Sequence, residues 1–134
     1  MTSHILLLEK DLFFSVKIRD TLQHHDLLVT VARNLASFEQ HLSRDDEERP
    51  SLVLINTAMT GVDWEAAIRA ARTYDIPVLC FGSHMDLDAR QKALQAGAQR
   101  VVANSKFTSD MLGLVNRMLA ASTNEDDDPS SVGE

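Results

Sequence analysis

At 134 residues, 44% of them apolar and 25% charged, the chain has the composition of one globular domain whose core buries roughly two thirds of the unfolded-chain surface. The formal charge is −7, yet the final ASTNEDDDPSSVGE holds five acids and no base, so the rest stands at −2. That balance offers no basic excess to a phosphate backbone and argues against direct nucleic-acid binding. The single Cys80 cannot close an internal disulfide, ILLL is too short for a signal peptide, and no run approaches the ~18 apolar residues of a membrane span, so a cytoplasmic chain with no membrane partner is expected.

Short apolar runs alternate with segments of helical period. HILLLE (4–9) reads as a first strand, and about 10–24 as a helix with Phe14, Ile18 and Leu22 on one side. DLLVTV (26–31) gives a second strand, followed by a helix over about 35–43 that trails into the charged loop SRDDEERP. SLVLIN (51–56) is a strand whose unbroken apolarity implies burial on both faces, and it ends on Asn56. Asp63 is placed to cap a third helix over about 64–73. IPVLCF (76–81) is the fourth strand, about 86–95 the fourth helix, RVVA (100–103) the fifth strand, and about 107–120 a last helix stacking Met111, Val115, Met118 and Leu119. The domain is therefore expected over 1–120, and 121–134 as a disordered acidic tail.

Five β-α units predict a flavodoxin-like α/β domain: a doubly wound five-stranded parallel sheet in the order 2-1-3-4-5, with helices on both faces. Ligands of such sheets sit beyond the carboxyl ends of the strands. Asn56 lies at such an end.

The order of segments, the turn M-x-G-x-D (Met59, Gly61, Asp63), the later IPV at 76–78 and AGA at 96–98 together resemble a response-regulator receiver domain (CheY-like) over about residues 4–120. That resemblance implies a magnesium-dependent phosphotransfer site: an acidic pair after strand one, a phospho-accepting Asp ending strand three, a Thr or Ser ending strand four and a Lys ending strand five. Here those places fall on Glu9 and Lys10, Asn56, Gly82 and Asn104. Only Glu9 keeps the required chemistry. An amide has no anionic oxygen with which to attack phosphorus, and the Lys10 ammonium near Glu9 can occupy the space of the cation. The aromatic that changes rotamer in family members aligns with Val101, and Ser83, one residue past Gly82, is the nearest substitute hydroxyl. Sliding strand one by one or two residues would offer Asp11 to the acidic pair, but it would turn the strand's side-chain alternation over or push helical residues into the sheet.

Other residues have plainer readings. His4, His24, His25, His41 and His84 lack metal-ligand spacing, so no metal and no cofactor are expected. Cys80, between Leu79 and Phe81, reads as a buried inert thiol. The five glycines form no phosphate-binding loop and no nucleophile-base-acid set can be assembled, so the chain is not expected to be an enzyme.

These residues point to a degenerate pseudo-receiver in bacterial-type two-component or related signalling, acting as a protein–protein interaction module without phosphorylation. In the family the face of helix four, strand five and helix five serves that purpose. It makes Lys92, Lys106 and Arg117 candidate contacts, Trp64 a further candidate near the pocket rim, and the same face a candidate homodimer surface. The alternative is a small-molecule or anion sensor using the eroded pocket of Lys10, Asn56, Ser83 and Asn104.

Overall fold

The computed structural model describes residues 3–44, 48–83 and 86–123. Its elements in chain order are β1 (Ser3–Leu8), α1 (Leu12–Gln23), β2 (Leu27–Ala32), α2 (Leu35–Leu42), β3 (Leu52–Asn56), α3 (Trp64–Thr73), β4 (Val78–Gly82), α4 (Leu87–Ala96), β5 (Arg100–Ala103), α5 (Asn104–Ser109) and α6 (Met111–Thr123). The sheet is parallel throughout with the order β2-β1-β3-β4-β5, as the alternation of strands and helices predicts. His84 and the chain from 124 onward, including most of the tail read from the sequence, lie outside the described residues.

The apolar central strands are buried on both faces because each face carries its own helices. Ile5, Leu7, Leu52, Leu54, Leu79 and Phe81 point to a core shared with α1, α5 and α6. Their alternating neighbours Leu6, Leu8, Val53, Ile55, Val78 and Cys80 point to a second core with α2, α3 and α4. In the first core Phe81 and Phe107 stack with centroids 4.2 Å apart, which fastens the short α5 to β4.

Four helices begin on side-chain caps: Asp11 accepts from Phe14 N–H, Asn34 from Ser37, Asp63 from Ala66 and Asp86 from Ala89. At the other end of α4, Gly97 has φ +123, and a Cβ there would meet the Arg72 side chain at 2.7 Å. That close approach excludes a larger residue.

Most element bounds shift by a residue or two from the sequence reading, and two differences have a plain physical reason. β4 starts at Val78 rather than at 76 and includes Gly82, because Pro77 has no N–H for the ladder and Ile76 N–H is drawn back to the Ala71 carbonyl at the end of α3. The last helix is two helices. Asp110, at φ −139 and ψ 38, closes α5 and opens α6, with its carboxylate over Gly113 and an ion pair to Arg117 at 2.9 Å. An Asp competes well for such caps and poorly for helix interiors. α6 then runs to Thr123, past the 120 expected.

Candidate functional site

β1 and β3 are adjacent, so their carboxyl ends bring Glu9 and Asn56 together. Glu9 is 1% exposed, which for a carboxyl demands partners. Its Oε1 accepts from Asn56 Nδ2 at 2.8 Å and its Oε2 from the Asp11 N–H at 3.1 Å. Burial pushes the Glu9 carboxyl above its ordinary value, against the pull of the Asp11 N–H and the Asn56 amide, while the Asp11 charge adds to the rise. Asn56 is used at both ends, since its Oδ1 accepts from Ala58 N–H at 2.8 Å. These two partners fix the amide's orientation, because a flip would set donor against donor.

Lys10 does not stand beside Glu9 as the sequence reading has it. Its ammonium lies over Gly61 and donates to the Thr60 carbonyl at 2.9 Å, with no salt bridge to Glu9. The difference follows from geometry: Glu9 points into the sheet end and already has two donors, whereas Lys10 is exposed and its long stem reaches the turn after β3. Asn56 and Lys10 thus clasp the same turn, at Ala58 and Thr60.

A magnesium ion needs several oxygen ligands. Glu9 has both oxygens engaged, Asp11 caps α1 through Oδ1, Asn56 turns its nitrogen toward Glu9, and Lys10 adds a positive charge at the rim. These residues do not fit magnesium. Among the described residues there is also no group of three or more His, Cys, Asp or Glu placed to hold a metal ion.

The remaining predicted site residues lie elsewhere. Gly82, Ser83 and Val101 line a separate cleft of about 260 Å³ between the ends of β3, β4 and β5 and the first turn of α4, together with Thr57, Arg90 and Ala103. Asn104 joins neither group; it is the exposed first residue of α5. Trp64 is half-buried, with part of its ring packed against the second core.

Two residues were missed by sequence reasoning. Thr57 sends its Oγ1 into the space that a side chain at position 82 would need, since a Cβ built on Gly82 collides with it. A hydroxyl therefore sits at the end of β4 but comes from β3. Arg90 crosses from α4 to donate to the Val101 carbonyl at 2.6 Å. Its signal in the sequence was its place one turn after the Asp86 cap.

The three candidate contact cations are not joined to one another. Lys92 pairs with Asp88 at 3.1 Å, and the hydrogen bond to Asp88 and its charge raise the pKa of Lys92, with the charge of Glu65 on α3 adding to the rise. Arg117 is paired with Asp110, and Lys106 is exposed on α5. Apolar exposure on this side comes from Leu87 (72%) and Leu94 (43%) of α4. Cys80 is fully buried, with its thiol pushed up to about 12 by desolvation, which leaves no thiolate for chemistry. No described helix is long and apolar enough to cross a membrane.

No protein-family model matches the chain and no curated protein matches it in sequence. Solved structures do match. NtrX from Brucella abortus superposes with a TM-score of 0.81 at 15% identity over 94% of this chain, which spans only 28% of that one. A response regulator from Thermotoga maritima gives 0.76 at 18% identity, covering 90% of this chain and 99% of its own. The signal receiver domain of a signal transduction histidine kinase from Syntrophus aciditrophicus gives 0.76 at 20% identity, covering 89% and 91%. At these identities the likeness shows the fold, and the fold is that of receiver domains.

Proposed function

We propose that the chain is an atypical receiver that signals by association and carries no phosphoryl switch. The observation that carries this reading is the bond between Asn56 and the buried Glu9. At the strand end where a receiver keeps an accepting carboxylate, a neutral amide holds the neighbouring carboxylate and supplies no nucleophile. The clasp of Asn56 and Lys10 on the turn after β3 ties down, in one arrangement, the segment next to that position. The receiver fold of the solved structures favours two-component or related signalling as the setting, and in this reading the chain works there in the cytoplasm, through protein partners and without a catalytic step.

The surface best suited to docking is the edge made by α4, β5 and α6. Leu87 and Leu94 supply apolar area, Arg90 bridges to β5, and Lys106 and Arg117 lie toward its border. Fold alone does not assign a role, so the test is chemical. Incubation with acetyl phosphate or beryllofluoride should leave the intact mass and the spectrum of the purified chain unchanged. Phosphate found at the end of β3 and lost in Asn56→Ala would overturn the reading.

The cleft beside Gly82 favours a second reading, a sensor of a small anion held by Arg90. Saturable thermal stabilisation by a small carboxylate or phosphate, abolished in Arg90→Ala, would move the assignment there.

A further inference from the structure

Arg90 donates to the Val101 carbonyl at 2.6 Å and, among the described residues, makes no ion pair. One turn earlier Asp86 accepts from the Ala89 N–H at 2.9 Å through Oδ1, and it too has no cationic partner among those residues. Opposite charges four residues apart on a helix are within reach of each other, and Asp88 and Lys92 of α4 do meet, at 3.1 Å. Asp86 and Arg90 do not, because the bond to β5 draws the guanidinium across. Both side chains line the cleft between α4 and the strand ends, as a separated acid and base.

The rest of the cleft sets what can lie between them. Its other walls are mostly apolar or bare, with Leu87, Val101, Val102 and Ala103 beside Gly82. The Thr57 hydroxyl is turned to the Phe81 carbonyl at 3.4 Å. Leu87 is 72% exposed, so an occupant with an apolar body covers area that the chain itself leaves wet. A volume of about 260 Å³ falls below the ~300–1,000 Å³ of ordinary ligand pockets and admits only a small molecule. Most of the guanidinium's N–H donors remain for a carboxylate. A plain anion, however, meets the Asp86 charge one turn away, and a plain amine meets Arg90. A zwitterion satisfies both. The full charge of Asp86 also exceeds the roughly half charge of the helix N-terminus beside it, so an ammonium is held there.

We propose that this cleft binds a small apolar α-amino acid, with Arg90 taking its carboxylate, Asp86 its ammonium, and Leu87, Val101 and Ala103 facing its side chain. This rests on the reading of the cleft as a ligand site anchored on Arg90 and names the ligand's chemistry.

The test titrates the purified full chain with L-leucine, L-valine, L-methionine and L-phenylalanine, read by thermal unfolding, calorimetry and amide NMR. At least one should bind saturably, raise the melting temperature and shift the Gly82, Leu87 and Val101 amides most. For leucine the analogues that keep one charge are 4-methylpentanoate and 3-methylbutylamine, and the equivalent pair serves for any other binder. Each should bind at least tenfold more weakly than the amino acid. Asp86→Asn keeps the helix cap, so the melting temperature without ligand should hold while amino-acid affinity falls at least tenfold. Arg90→Gln should cause a similar loss. If the plain carboxylate or inorganic phosphate shifts the same amides as tightly as the amino acid does, and Asp86→Asn changes nothing, the ligand is a small anion: the anchor on Arg90 stands and the amino-acid inference falls. If neither amino acids nor these anions bind, both fall. Binding that shifts amides elsewhere, or that survives Asp86→Asn and Arg90→Gln alike, also overturns the inference.

Discussion

Asn56 Nδ2 donates to Glu9 Oε1 across 2.8 Å at the carboxyl ends of two adjacent parallel strands, in a place from which Glu9 is almost wholly screened from water. Burial raises the pKa of a carboxyl in that position above its ordinary value by more than its hydrogen bonds to the Asp11 N–H and the Asn56 amide lower it.

The first prediction is a pH dependence. With the folded pKa above the unfolded one, the native state binds the extra proton. The advantage is present at low pH and is lost as pH rises from about the unfolded value through the folded one. Glu9→Gln removes this titration. The unfolding free energy of the variant relative to the parent should therefore climb between pH 4 and neutrality and level off at higher pH, as read by urea denaturation. A difference moving in favour of the parent over that range would mean that the anion is the favoured form.

The second prediction concerns metal. Millimolar magnesium should not change the melting temperature of the parent, because ligand linkage stabilises only a native state that binds. Lys10→Asp with Asn56→Asp sets two further carboxylates beside Glu9. The double variant should lose about 1–3 kcal/mol at pH 7.5 from crowded, unpaired carboxylates and recover part of it as magnesium is added. A saturable magnesium response in the parent would contradict a strand end closed to the ion by Glu9, Asn56 and Lys10.

A third prediction rests on Thr57 and Gly82. Gly82→Thr, which restores a hydroxyl at the end of β4, should destabilise by about 1–3 kcal/mol through overpacking against Thr57 Oγ1. Thr57→Ala should relieve most of that loss, and a double-mutant cycle in thermal unfolding measures the coupling. Additive effects would show that the two positions do not share one space.

These residues also show how far the sequence could be read. The strands and their order were legible because parallel strands buried on both faces leave continuous apolar runs, and Asn56 was visible as the polar residue that stops one of them. That Asn56 and Glu9 share one sheet end followed from the strand order, but the bond between them was not read from the sequence. The direction of Lys10 did not follow either, because it depends on where the turn after β3 puts the Thr60 carbonyl. Thr57 was hidden for a similar reason: its hydroxyl meets Gly82 only once the β3–β4 register sets Asn56 against Phe81. The break at Asp110 left a weak mark in the Ser-Asp pair, which the apolar period on either side overrode. Lys92 and Arg117 were legible as exposed cations, but their pairing with Asp88 and Asp110 was not, because helical position says which residues are exposed and not which acids their long side chains find.

The central claim is that output depends on association and not on modification at Asn56. Its most direct test is activity in cells depleted of the native chain, measured beside the melting temperature of each purified variant. Asn56→Ala should keep activity wherever the fold survives, while Leu87→Asp and Leu94→Asp, at exposed positions on the α4–β5 edge, should abolish it on a fold that still melts cooperatively near the parent's temperature. Loss of activity in Asn56→Ala on a stable fold, with the edge variants active, would contradict the account.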